Sequence, residues 1–170
     1  YTMIILFGNF LLWLTLIFAI LQFIVSYKKN NSLLKLNKIA CYGLFFTSLG
    51  SFILLIYAHV ISDFSILNVF QNSHSTKPLI YKISGVWGNH EGSMLLWILV
   101  LAIFNIFIFK LYNKANGNFI SKSLETQSLI IIGFTIFTVI TSNPFEEIIP
   151  EQLDGLGFNP ILQDPALAIH

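Results

Sequence analysis

Residues 1–27 form the sequence YTMIILFGNFLLWLTLIFAILQFIVSY, which contains no charged side chain. An α-helix rises about 1.5 Å per residue, so about 20 apolar residues cross the hydrocarbon core of a bilayer. The whole chain of 170 residues is 55% hydrophobic and only 10% charged. Soluble domains carry about 25% charged residues. This composition indicates a membrane protein.

The gaps between charged residues define four candidate membrane spans, which are residues 3–27, 39–62, 92–109 and 126–145. Continuous apolar runs of this length predict helices, because a strand of a membrane barrel has about 10 residues of alternating pattern. The first run is too long for a signal peptide and lacks its basic flank and small-residue cleavage site. We therefore predict an all-α polytopic membrane protein with four transmembrane helices, followed by the start of a further helix.

The distribution of lysine predicts the orientation of the spans. All nine basic residues are lysines; seven lie in the first and third loops and two in the second loop. The positive-inside rule places the first and third loops in the cytoplasm or matrix. The N-terminus, the second loop and the tail then share the outer side. The notable polar residues gather there: His59, Asp63, His74, His90, Glu91 and His170.

Several classes of function are disfavoured by what the sequence lacks. The single cysteine, Cys41, excludes an internal disulfide and a C-x-x-C-H haem-attachment motif within this chain. No basic patch suited to nucleic acid is present. No charged residue is expected in mid-span, where insertion costs about 2.5–3.5 kcal/mol, which argues against an ion channel made by this chain alone. The abundance of Phe, Ile, Asn and Lys without Arg suggests an AT-rich genome, either mitochondrial or bacterial.

The segment Trp87-Gly88-Asn89-His90-Glu91-Gly92-Ser93 directly precedes the third span. A zinc-protease helix would need a second histidine four residues after His90, and Met94 stands there. Asn89 is suited to cap the helix, and Glu91 in its first turn complements the helix dipole. We expect His90 and Glu91 to form a fixed polar cluster at the mouth of this span and not to act as ligands.

The other outer-side histidines have simpler interpretations. His59 and Asp63 are four residues apart, so they would share a helix face and pair with each other. Two such ligands are too few for a metal site. His74 lies in a polar loop, where we expect it to be solvated. The apolar segment 64–70 of the same loop is expected to lie in the membrane interface or to form a short strand.

The tail GFNPILQDPALAIH, residues 157–170, follows the fourth span. Asp164-Pro165 predicts a helix start, with Asp as the N-cap and Pro at the first helical position. His170 would then lie early in a new helix near the membrane surface, where a neutral imidazole is a suitable ligand for a metal or a haem iron. Spacing alone favours the alternative interpretation, an ordinary loop followed by a helix in which the histidine has no special role.

Three outer-side segments resemble, in order and spacing, motifs of the CcmF family of cytochrome c maturation haem lyases. Residues 87–97 resemble its W-G-x-H-E-G-S-x-x-L-W segment, and residues 141–145 match its T-S-N-P-F element. Residues 156–170 resemble its L-N-P-L-L-Q-D-P-x-x-x-x-H segment, with Phe158 where Leu is usual. The resemblance therefore covers essentially the whole chain.

The resemblance implies a role in cytochrome c-type biogenesis. The family's membrane haem lyase accepts haem from a haem chaperone and helps to attach it to apocytochrome c. Its first outer-side histidine ligand follows the Q-D-P motif, so the role of haem axial ligand falls on His170. The remaining motif positions are expected to be structural or to form a haem-facing surface: Trp87, Gly88, His90, Glu91, Gly92, Asn159, Pro160, Gln163, Asp164 and Pro165.

The resemblance also implies that this chain acts with others. The family's tryptophan-rich motif, its second outer histidine and the ligands of its resident haem b follow later, so partner segments are expected to carry them. The chain is then not catalytic alone, and Tyr1 suggests that it is part of a longer protein or a split gene product. We predict the mitochondrial inner membrane, with the tail on the intermembrane-space side, or alternatively a bacterial inner membrane. An accessory structural subunit of a respiratory membrane complex and a small transporter are the alternative functions.

Overall fold

The computed structural model describes residues 2–28, 33–111, 117–150 and 152–157. Within these ranges it has six helices: α1 (Thr2–Tyr27), α2 (Leu34–Ile61), α3 (Leu67–Asn72), α4 (Leu79–Ser84), α5 (His90–Lys110) and α6 (Gly117–Thr141). The helices α1, α2, α5 and α6 are long and apolar enough to cross a membrane. This confirms the predicted all-α fold with four spans. The further helix predicted at Asp164 lies outside the described residues.

The four long helices form a closed ring. Helix α1 packs on α2 and α6, and α5 packs on the same two helices, so α1 and α5 are diagonal neighbours. The middle of the ring is filled by small and aliphatic side chains: Ala19, Leu44, Ile98, Ala102 and Ile131. Large apolar side chains such as Phe7, Trp13 and Phe104 are exposed on the outside. Helices that are apolar on all sides suit a lipid environment.

Polar side chains pair between helices inside this ring. Asn105 Nδ2 of α5 donates to Gln22 Oε1 of α1 across the diagonal, at 2.7 Å, and both residues are fully buried. Thr15 Oγ1 donates to Thr47 Oγ1 at 3.0 Å and so joins α1 to α2. Hydrogen bonds of this kind in membrane proteins contribute about 0.6 kcal/mol on average. They fix which faces of the helices meet.

The fourth long helix differs in its bounds from the predicted span. It begins at Gly117 and not at residue 126, because the helix includes the charged residues Lys122 and Glu125 that the sequence analysis placed before the span. Lys122 Nζ lies 2.7 Å from Glu125 Oε1, and the side chain of Lys122 is 62% exposed while that of Glu125 is 11% exposed. Its end at Thr141 precedes the predicted 145, since the residue before Pro144 is disfavoured in the helical conformation.

The lysine distribution predicts that the end of the ring where α5 begins faces the outer side, and it is called the outer end below. The second loop and the segment after α6 close this end together. Leu67 N donates to Glu146 O at 2.8 Å, and Ile148 N donates to Ser65 O at 2.9 Å. The segment 64–70 does not form a regular strand: it makes one isolated bridge, between Ile66 and Glu147, and then enters α3. Phe64, Ile66, Val69, Val86 and Phe145 are buried in this closure.

Candidate functional site

Asn89 caps the first turn of α5. Its backbone is extended, and its Oδ1 accepts a hydrogen bond from Gly92 N at 2.8 Å. Its Nδ2 donates to Gly85 O at 2.7 Å and to Val86 O at 3.1 Å. The predicted helix cap is confirmed. Because one amide bonds both the helix start and the turn after α4, the path of the chain into the third span is fixed.

Asn68 of α3 joins this cap to the second loop. Its Nδ2 donates to Asn89 Oδ1 at 2.8 Å and to Glu91 Oε2 at 3.1 Å. Asn68 is 3% exposed, so its amide is an internal connector. Glu91 is held in place as expected, but by a residue that the sequence analysis did not single out. Asn68 lies 21 residues before Asn89 in an unremarkable stretch, so no local pattern marks it.

Gly92 and Trp87 complete the packing around the cap. A Cβ on Gly92 would collide with the carbonyl oxygen of Val86, so only glycine permits this close approach of two backbone segments. Trp87 is half-buried against the outer apolar core. Gly88 N donates to Ser84 O at 3.0 Å and continues the turn after α4. The first motif is therefore a tightly packed entrance to α5.

His90 does not lie with Glu91 in this network. Its ring lies edge-on to Phe137 of α6, with centroids 6.0 Å apart and planes at 88°. The two rings belong to a groove of about 560 Å³ between α5 and α6, which is otherwise lined by apolar residues: Met94, Leu129, Ile130, Gly133 and Phe134. Only Glu91 of the predicted pair belongs to the polar cluster, since successive helical residues point to different faces.

The predicted pairing of His59 with Asp63 is wrong. Helix α2 ends at Ile61, and Ser62 is left-handed with φ 58°, so Asp63 leaves the helical face. His59 Nδ1 lies 3.0 Å from Leu55 O, while Asp63 Oδ1 accepts from the hydroxyl and the backbone N–H of Ser65. A histidine that donates through Nδ1 presents an acceptor at Nε2, which cannot pair with an ionised carboxylate.

The second motif, residues 141–145, attaches the end of α6 to the start of α1. Asn143 Nδ2 donates to Asn9 Oδ1 at 2.7 Å, and Phe145 N donates to Asn143 Oδ1 at 3.0 Å. The ring of Phe145 is fully buried and lies against Gly8, where any side chain would collide with it. This motif therefore closes the outer end of the ring, and its role is structural.

The segment after this motif is attached to the second loop. Asp154 accepts from Ser75 N at 2.9 Å and from Ser75 Oγ at 2.6 Å. These bonds, first that of the Ser75 hydroxyl, lower the pKa of Asp154 to about 2. His74, expected to be solvated, is 40% exposed, with Nε2 at 3.4 Å from Asp154 Oδ2 and Nδ1 at 3.0 Å from Thr76 Oγ1.

The third motif, residues 156–170, lies outside the described residues except for Leu156 and Gly157. This applies to the expected haem ligand and its neighbours: Asn159, Pro160, Gln163, Asp164, Pro165 and His170. Within the ranges that the structure describes, no three His, Cys, Asp or Glu side chains converge on a position that could hold a metal ion. The described part of the site therefore comprises the first two motifs and the segment between the second motif and Gly157.

Known proteins with similar sequences show the family to which the chain is related. The family described as cytochrome c assembly protein matches residues 87–170, which begin at the first motif. The cytochrome c-type biogenesis protein CycK of Rhizobium meliloti is 43% identical over 99% of this chain and 25% of its own length. The cytochrome c-type biogenesis protein CcmF of Haemophilus influenzae is 36% identical over 96% of this chain and 26% of its own length.

A solved structure has the same fold. The cytochrome c haem lyase CcmF superposes with a TM-score of 0.78 at 24% identity, covering 84% of this chain and 25% of that one. A ring of four membrane-length helices, with loops packed over one end, thus defines a polytopic helical membrane protein. The chain belongs to the CcmF family of cytochrome c maturation proteins. It spans about a quarter of the length of the relatives it matches.

Proposed function

We propose that this chain acts in cytochrome c-type biogenesis as the N-terminal part of a membrane haem lyase. The observation that carries this proposal is the 43% identity to a cytochrome c-type biogenesis protein over 99% of the chain. The geometry supports it as well, because the first two motifs hold the outer end of the ring together. An accessory subunit of a respiratory complex would not need these motifs in this order.

In this proposal His170 is the residue of the chain that binds haem, as an axial ligand of haem in transit. Haem is here the cargo and not a resident group. The described histidines fit this role less well. His59 is fully buried, and both nitrogens of His74 lie near bonding partners. His90 lies against Phe137 in the groove between two spans. His90 is exposed, so the assignment to His170 rests on the resemblance of residues 156–170 to the family's Q-D-P and histidine segment.

The proposal includes partners and a membrane. Further segments that carry the tryptophan-rich motif, the second axial histidine and the resident haem b would complete the lyase. A haem chaperone would deliver the haem, and apocytochrome c would receive it. The curated relatives are bacterial, which favours a bacterial inner membrane over the mitochondrial one that the arginine-free composition, rich in Phe, Ile and Asn, suggested. In either membrane the outer end of the ring faces the compartment where cytochrome c matures.

The test is His170→Gly in the assembled full-length lyase, with and without added imidazole. We expect loss of cytochrome c maturation and loss of the six-coordinate haem spectrum, and recovery of both when imidazole fills the space left by the side chain. Unchanged maturation without imidazole would exclude this ligand role. Mass spectrometry of the purified complex provides a separate check, because a respiratory complex in place of maturation partners would support the accessory-subunit alternative.

A further inference from the structure

We infer that the four-helix ring binds a water molecule between Gln22 of α1 and Asn105 of α5, in the half of the ring opposite the outer end. This inference does not depend on the proposed role toward haem, because it concerns the contact between two helices. Each residue precedes the last residue of its helix by five positions, from 27 − 22 and 110 − 105. At about 1.5 Å per residue, the two side chains therefore start from the same depth, about 7.5 Å inside the inner ends of their helices.

The single hydrogen bond between the two amides leaves two polar groups without a protein partner. Asn105 Nδ2 donates to Gln22 Oε1, while Gln22 Nε2 and Asn105 Oδ1 have no hydrogen-bond partner among the described residues. If the nitrogen and oxygen of both amides were exchanged, one donor and one acceptor would remain in the same way. One unpaired NH2 group and one unpaired carbonyl oxygen are therefore a property of the pair in either orientation of its amides.

The surrounding protein and membrane do not supply the missing partners. Two other buried polar groups of the ring, the hydroxyl groups of Thr135 and Thr138, each donate to the carbonyl oxygen four residues earlier in α6. A primary amide has two N–H donors and a carbonyl acceptor, so one such bond cannot satisfy it. Gln22 and Asn105 are fully buried, which keeps lipid headgroups and bulk solvent away from them. The partner must therefore be a small molecule enclosed within the ring.

The unpaired donor and acceptor select water among small ligands. The ligand must accept a hydrogen bond from Gln22 Nε2 and donate one to Asn105 Oδ1. A metal cation cannot accept from an N–H group, a halide cannot donate to a carbonyl oxygen, and either ion would be costly to bury without a counter-charge. Water accepts and donates, and buried waters in proteins typically make about three hydrogen bonds to polar groups of this kind.

Small side chains occupy neighbouring positions on both helices. Ala19 and Ala102 are fully buried and lie three residues before Gln22 and Asn105, respectively, on the same helix faces. Alanine at these positions leaves space beside the amides that a leucine or isoleucine side chain would fill. The sequence therefore combines the amide pair with the small neighbours that a bound water requires.

The polar cluster continues from this pair toward the inner end of the ring. Ser26 lies one turn beyond Gln22 on α1, and its Oγ accepts from Asn37 Nδ2 of α2 at 3.3 Å. Asn37 Oδ1 likewise has no hydrogen-bond partner among the described residues, and it lies three residues after the start of α2 at Leu34, from 37 − 34. These polar groups give water a route from the inner end to the Gln22–Asn105 pair.

The experiment is solid-state NMR spectroscopy of the full-length protein in lipid bilayers, with magnetisation transfer from water protons to amide groups. The side-chain NH2 group of Gln22 is the tested group. Gln71, exposed on α3, is the hydrated reference, and the backbone amide of Ile98, fully buried in the ring, is the dry reference. We expect a cross peak between water and Gln22 Nε2, as for Gln71 and unlike Ile98. Absence of the Gln22 cross peak in a spectrum that shows the Gln71 cross peak would overturn the inference.

Two variants test whether the amide pair holds the water. Asn105→Leu replaces the acceptor by an apolar side chain of similar size, so the Gln22 cross peak should be lost. Thr135→Val is the matched control, because it removes a buried hydroxyl group elsewhere in the ring, and it should retain the cross peak. A cross peak that persists in Asn105→Leu, or that disappears in Thr135→Val, would show that this pair does not hold the water. The wild-type spectrum decides whether water is present even where a variant does not fold.

Discussion

The side-chain amides of Asn68 and Asn89 form two reciprocal hydrogen bonds, in which each amide is both donor and acceptor. Asn68 Nδ2 donates to Asn89 Oδ1 at 2.8 Å, and Asn89 Nδ2 donates to Asn68 Oδ1 at 3.3 Å. This reciprocal pair joins a six-residue helix in the second loop to the start of a membrane-spanning helix. The position of the second loop over the outer end of the ring depends on it.

We expect Asn68→Ala to destabilise the outer end by about 1–3 kcal/mol, because Asn89 and Glu91 then lose a donor in a half-buried place. The midpoint of thermal unfolding in detergent measures this loss. Gln71→Ala is the matched control, since Gln71 is exposed on the same short helix. The double variant Asn68→Ala/Asn89→Ala should lose less than the sum of the single variants, and simple additivity would contradict a direct interaction.

Gly92→Ala should be among the more damaging single-methyl changes in this chain. Its Cβ would collide with the Val86 carbonyl oxygen, so the turn before α5 must move, at about 1–3 kcal/mol. Gly133→Ala is the control in a neighbouring span, because no atom lies within 4 Å of the added Cβ. Alanine forms helices better than glycine, so Gly133→Ala should be neutral or slightly stabilising. Equal unfolding midpoints for the two variants would contradict this account.

Phe145→Ala should lower the free energy of unfolding by about 3–5 kcal/mol, because a fully buried ring is removed from the outer core. Gly8→Ala should also destabilise, since its methyl group would enter the space of that ring. Phe145→Leu should partly relieve the steric clash that Gly8→Ala creates. The double variant is therefore expected to be more stable than the sum of the single effects predicts. Additive losses in a thermal unfolding cycle would show that the two residues do not share this space.

His90→Ala should leave the iron-ligand signal of the haem-loaded lyase unchanged. His90 lies in the groove against Phe137, and no described contact directs it toward the tail. Resonance Raman spectroscopy of the assembled protein measures the iron–histidine signal directly. If that signal disappears in His90→Ala and is unchanged in His170→Gly, the iron ligand is His90 and not His170.

The hydrogen bonds from Ser75 to the Asp154 carboxylate should persist between about pH 8 and pH 5. The folded-state pKa of Asp154 is about 2, below its ordinary 3.8, so its contribution to stability is present above about pH 4 and is lost only as the pH falls through 2. A protonated His74, 3.4 Å away, would add attraction to the carboxylate. Hydrogen exchange at residues 152–157, corrected for intrinsic rates, should be constant over this range. Exchange that becomes faster as the pH falls from 8 to 5 would contradict the depressed pKa of Asp154.

The fold could be predicted from sequence because lipid demands long apolar helices, and four such runs are visible between the lysines. The helix cap at Asn89 could also be predicted, because capping depends on residues three positions apart. The contacts of Asn68 and Asp154 could not, since each joins segments 21 or 79 residues apart and no local pattern encodes the pairing. The predicted His59–Asp63 pair is wrong because the left-handed Ser62 ends the helix at Ile61, two residues before Asp63.

The bond between Gln22 and Asn105 also sets an order of biosynthesis. The chain emerges from the ribosome N-terminus first, so α1 and α2 can associate early through Thr15 and Thr47. Gln22 must wait for a partner 83 residues further on, and Asn9 for one 134 residues further on. At about 5–20 residues per second of synthesis, the first wait lasts about 4–17 s. During that interval a buried amide of the first span has to be satisfied by water or by the insertion machinery.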